Sequence, residues 1–122
     1  MCLLRDDSVK ITGDRVWKLL TVKKGKISST IYNFTWQPGL NTAHGRHFKT
    51  RDGLVREGFH VYLNKSDAEW QKCFASTPVF LVSFSFNLND LIATGYGDSV
   101  KQAVFKRLLL SKEEYNRVLI YR

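Results

Sequence analysis

The sequence predicts an α+β fold, a mainly antiparallel sheet of six or seven strands with two short helices, in a single domain over residues 1–122. Runs rich in β-branched and aromatic residues recur between clusters of Gly, Pro, Asn and Asp, the punctuation expected of strands and turns. Two Ser-x-x-Glu spacings, Ser66/Glu69 and Ser111/Glu114, mark helix starts, because the hydroxyl can take the N3 amide while the carboxylate returns to the cap amide. A chain of 122 residues can bury one core and not two.

Residues 9–12 form a short strand candidate closed by Gly13-Asp14, and residues 15–22 form a better one. Lys23-Lys24-Gly25-Lys26 reads as a hairpin loop, with residues 27–36 as the returning strand. Apolar residues thin out over residues 37–53, so a long loop is expected there, with one short extended piece at residues 47–49. Residues 58–63 read as a strand entering the core. A helix should then start at Asp67, run to about Phe74 and be stopped before Pro78. The most apolar run, residues 79–86, is expected to be the central strand. Residues 91–94 resume briefly as a strand, Gly95-Tyr96-Gly97-Asp98 reads as a loop, and residues 100–110 read as one long strand. Ser111 then starts one or two turns of helix, and residues 118–121 close as a helix end or strand.

With 43% apolar and 13% aromatic residues the composition excludes a mainly disordered chain. There is no apolar run of bilayer-spanning length, and residues 1–7 lack the pattern of a signal peptide, so a soluble cytoplasmic protein without a membrane partner is expected. Cys2 and Cys73, the two cysteines, do not make a disulfide framework. The net charge is +8 and unevenly placed: residues 1–61 carry 11 Lys/Arg against 5 Asp/Glu, residues 62–122 carry 8 against 6. The dense parts are Lys23, Lys24 and Lys26, then Arg46, Lys49, Arg51 and Arg56 with His44 and His47 among them. Such a surface attracts phosphates through counterion release, and acidic protein faces as well.

No Walker loop, dinucleotide glycine pattern or nucleophile signature is present, so no cofactor is expected. His44-x-x-His47 with His60 has metal-ligand character, but no cysteine lies near enough in sequence to complete a closed zinc site, and no metal is expected. An N-terminal Cys2 nucleophile would need a free amine, which Met1 removes.

The order His44-Gly45, then Gly58 to Tyr62 followed by Ser66-Asp67-Ala68, then an apolar strand and Glu113-Glu114-Tyr115 resembles the layout of ADP-ribosyltransferases. That resemblance implies a dinucleotide cleft in which His44 holds a ribose, Tyr62 stacks on nicotinamide and Glu114 polarises the acceptor or the ribose hydroxyl. The opening Met1-Cys2-Leu3, Val16-Trp17-Lys18, Glu57-Gly58-Phe59-His60, Asp67-Ala68-Glu69 and Leu91-Ile92-Ala93-Thr94-Gly95 also resemble small uncharacterised phage and bacterial proteins. This second likeness implies a phage or mobile-element origin and a module that binds and inhibits a host component.

The leading expectation is a non-catalytic binding module that docks on an anionic macromolecule, nucleic acid or a host protein. It would do so through Lys23, Lys24, Lys26, Arg46, His47, Lys49, Arg51 and Arg56 with the aromatics Trp17, Tyr32, Trp36 and Phe48. The alternative is an enzyme or nucleotide-signal-binding protein with a cleft near His44, His60, Tyr62 and Glu114. Sequestration of a small phosphorylated ligand by the same basic region is a third expectation.

Overall fold

The computed structural model describes residues 3–30, 34–44 and 53–120. Its organising element is β2 (Val16–Lys23), whose alternation sends Val16 and Leu20 into the core at 0% exposure. Lys24 and Gly25 turn the chain with φ of 52° and 75°, as a two-residue hairpin loop requires. β3 (Lys26–Ser29) then returns with Val22 opposite Ile27. The sequence reading of one strand over residues 27–36 is corrected here. The chain doubles back, so that the Trp36 amide donates to the Ile27 carbonyl at 2.8 Å and Thr35 bridges to Ser28.

β1 (Leu3–Arg5) was not foreseen, and the strand expected at residues 9–12 is irregular backbone that buries Val9 alone. Within the stretch expected to be a loop lies β4 (Gly39–Thr42), while the extended piece expected at residues 47–49 falls outside the described residues. β5 (Leu54–Val55) and β6 (Phe59–Tyr62) follow. Helix α1 (Lys65–Lys72) starts two residues before the expected Asp67, because Asn64 is its N-cap in place of Ser66. The Asn64 carbonyl accepts from the amides of Asp67 and Ala68.

β7 (Phe80–Phe84) is the apolar strand, but among the described strands it pairs with β2 alone and stands at an edge of the main sheet, not at its centre. β8 (Leu91–Gly97) takes in Gly95, Tyr96 and Gly97 of the expected loop, and the turn is confined to Asp98 and Ser99, with φ of 52° and 67°. Gly95 belongs in this strand because a Cβ there would collide with the Leu4 carbonyl of β1. The long strand expected over residues 100–110 is two, β9 (Val100–Phe105) and β10 (Arg107–Leu110). The break at Lys106 is fixed by its amide on the Asp90 carbonyl and its carbonyl on the Ala43 amide, both 2.8 Å, which passes the chain from one sheet to another. Helix α2 (Lys112–Ile120) is longer than the expected one or two turns, and Ser111 Oγ accepts the Glu114 amide as the capping pattern anticipated.

The α+β class and the antiparallel pairing hold, with more strands than the sequence suggested. Among the described residues the main sheet has eight, ordered β3-β2-β6-β9-β8-β1-β5 with β7 on β2, and β4 with β10 forms a second sheet of two. One core cluster joins Val16, Leu20, Trp36, Phe59, Phe84 and Phe105 to Val118 of α2, and a smaller one gathers Leu3, Val55, Ala93 and Val104. None of the helices among the described residues is long and apolar enough to cross a membrane.

The outer edge of β7 would offer unpaired backbone groups to another chain. Two side chains of α2 take the place of a neighbouring strand: Glu114 Oε2 accepts the Ser83 amide at 3.0 Å, and Arg117 Nη2 donates to the Leu81 carbonyl at 2.7 Å. Arg117→Ala is therefore expected to lower stability by about 1–2 kcal/mol. It is also expected to produce concentration-dependent association in sedimentation or light scattering, whereas an unchanged monomer-to-oligomer balance would refute the edge-blocking role.

Candidate functional site

Trp17 is opposite Ser83 on β7 and opposite Tyr62 on β6, while Leu20 is opposite Phe80 on β7 and Ser29 on β3. β3 and β6 thus share one edge of β2, and the β2–β6 ladder is the single pair Trp17 with Tyr62. Past that pair the strands part and leave a cleft of about 530 Å³. One wall is Lys18 and Leu19 with Ser29 and Thr30, the other is Glu57 to His60 with Tyr62, and Phe34, Ala43, His44 and Arg56 border it as well.

Lys18 bridges the split. Its Nζ donates to the His60 carbonyl at 2.8 Å, a carbonyl facing the gap where β2 has drawn away. No carboxylate among the described residues lies within ion-pair distance of Lys18. Burial lowers it from the usual 10.5 to about 8. Arg56 and Glu57 are exposed at the rim, as is His44, whose ring meets Phe34 edge-on at 5.5 Å.

His60 is buried, with Nε2 3.0 Å from the Val55 carbonyl and Nδ1 3.3 Å from the Gly58 carbonyl. A neutral imidazole has one N–H for two acceptors, and the shorter contact assigns it to Nε2. Burial, assisted by the nearby Lys18 charge and opposed by the two carbonyls, moves His60 below its ordinary value, so it stays neutral at pH 7 and pins the β5–β6 bend. That bend needs Gly58, whose φ is +102° and whose Cβ would press on Val104. Tyr62 is pushed up to about 12, by burial first and then by the Asp98 and Asp67 carboxylates.

The structure brings together His44, His60, Tyr62 and Arg56 of the residues singled out from sequence. It does not bring Glu114 with them. That carboxylate sits beyond β7, on the Ser83 amide and on Arg117 at 2.7 Å, and Arg117 is the main cause of its lowered pKa, with burial opposing. Trp36 is fully buried, its indole N–H donating to Ser29 Oγ at 3.0 Å, and so is a core residue and not a docking aromatic. Lys23, Lys24 and Lys26 are exposed at the hairpin end. Arg46, His47, Phe48, Lys49, Arg51, Tyr32 and Cys2 lie outside the described residues. Among the described residues no three His, Cys, Asp or Glu side chains gather as metal ligands would.

Sequence reasoning missed Lys18. The signal was present, since positions 16, 18, 20 and 22 share one face of a strand, and a lysine between Val16 and Leu20 is a charge in an apolar row. No protein-family model, curated protein or solved structure matches the chain.

Lys18 and Tyr62 set the stability profile on the alkaline side. Folding lowers the Lys18 pKa, so between pH 8 and 10.5 the unfolded chain holds the extra proton and stability rises with pH. Folding raises the Tyr62 pKa, so from pH 10 to about 12 the folded chain holds it and stability falls. Denaturant titrations should peak near pH 10. Lys18→Met should remove the rise and gain on the order of 1 kcal/mol at pH 7, the small figure reflecting the solvent on the open side of Lys18.

Proposed function

We propose that this chain is a binding module that takes a small phosphate-bearing ligand of nucleotide size into the cleft between β2 and β6. The observation that supports this reading is Lys18, a half-buried ammonium on the wall of a cavity with, among the described residues, one carbonyl partner and no acidic one. Desolvating a charge is unfavourable unless something compensates it, and a bound anion would do so. Arg56 adds a second cation at the rim, and Phe34, Phe59 and Leu19 give apolar wall for a planar ring. Both cations belong to the basic first half of the chain, so the charge asymmetry is put to use in a concave site. His60, with both ring nitrogens against backbone carbonyls, serves to shape the cleft wall and not to move protons.

Lys23, Lys24 and Lys26 support a second reading, docking on an anionic macromolecule. All three are exposed, Lys23 stands opposite Lys26, and neither they nor Lys24 pair with a carboxylate among the described residues.

Calorimetric titration with adenosine monophosphate and with inorganic phosphate separates the two. Lys18→Met should weaken monophosphate binding at least about tenfold, close to 1.4 kcal/mol, while Lys23→Ser, Lys24→Ser and Lys26→Ser combined should leave it within about twofold. Binding should weaken as pH rises past 8 and Lys18 loses its proton in the face of Arg56, Glu57, His44, His60 and Tyr62. No binding by the native chain, or loss in the triple variant alone, would overturn the cleft reading.

A further inference from the structure

We propose that Lys18 forms a reversible imine with a small phosphate-bearing aldehyde held in the β2–β6 cleft. The proposal rests on the binding reading above and goes beyond it, because it assigns the nitrogen of Lys18 a covalent role in place of a purely electrostatic one.

The geometry supplies what such a lysine needs. An amine that reacts with carbonyl compounds must be reachable from a cavity, held by few competing partners and kept away from carboxylates that would fix its proton. Lys18 borders a cavity of about 530 Å³ and has one hydrogen bond among the described residues, to the His60 carbonyl at 2.8 Å, an acceptor that constrains its direction without neutralising its charge. The other chain lysines among the described residues stand on exposed positions, including Lys23, Lys24 and Lys26 at the hairpin and Lys65, Lys72, Lys101 and Lys112 elsewhere. Arg56 at the rim is placed to hold the ligand's phosphate, leaving its carbonyl end toward the wall that carries Lys18. Burial also holds Lys18 near 8, so roughly a tenth of it is neutral amine at pH 7, where an ordinary lysine is almost wholly charged.

In the step itself the amine lone pair forms a bond to the aldehyde carbon. The C=O π pair moves to oxygen, which takes one proton from nitrogen to give the carbinolamine; the C–O bond then breaks, water leaves carrying that oxygen and the second nitrogen proton, and the C=N bond remains. Hydrolysis reverses each change, and nothing is oxidised or reduced.

Pyridoxal 5′-phosphate serves as the probe. The full chain is incubated with one equivalent at pH 7.5, reduced with sodium cyanoborohydride and mapped by peptide mass spectrometry. The expected result is one adduct on Lys18, at least tenfold above that on any of Lys23, Lys24 or Lys26, with an imine absorbance band before reduction. Adducts spread over the exposed lysines, or none on Lys18, would overturn the proposal. Lys18→Arg should lose the adduct, because a guanidinium forms no imine under these conditions. If the native chain binds the monophosphate but Lys18 takes no adduct, the imine fails and the cleft reading stands. If neither occurs, both fail together.

Discussion

A backbone edge can hydrogen-bond to one neighbour at each point along its length, and β2 serves both β3 and β6 from the same side. The two cannot overlap, so β3 takes residues 20–23, β6 keeps only Trp17, and Lys18 and Leu19 face a gap. A carbonyl left in such a gap requires a donor or water. Lys18 supplies the donor to His60, and in doing so places a cation where a sheet would ordinarily have an amide. The cleft and its charge follow from this division of one edge.

Much of the fold was legible locally. The Lys23 to Lys26 turn, the cap at Ser111 and the strands around Leu20, Val61 and Val82 follow from turn chemistry, side-chain spacing and alternation, which act over a few residues. What escaped depends on partners distant in sequence. Gly95 and Gly97 look like loop residues until β1 and the Gln102 side chain are seen to need the space a Cβ would fill. Leu108 and Leu110 extend the apolar run that begins in β9, and the hydrogen bonds of Lys106 to Asp90 and Ala43 transfer them to the second sheet. The apolarity of β7 argued for a central strand, yet it is buried on one face by the core and closed along its edge by α2.

The candidate site was legible in part. Histidines and a tyrosine drew notice as reactive types, and the structure sets three of them beside one cavity. Glu114 drew notice for the same reason, but its carboxylate closes a sheet edge with Arg117. Lys18 was one lysine among 11, conspicuous only once its row of neighbours is known to face inward. Trp36 shows the converse, since interleaving with basic residues suggested a stacking surface while its rings pack against Phe34, Phe59 and Phe84.

β1 lies between β5 and β8, and it is also tied by the Thr94 hydroxyl on the Asp6 carbonyl across 88 residues. Closing so large a loop has an entropic cost that must be met before the contact gives anything back, and chains dominated by such distant pairings fold slowly. During synthesis β1 would therefore wait for β8 to emerge before both its edges were paired. In the meantime Leu3, fully buried in the finished molecule, would be open to solvent and to chaperones that grip apolar segments.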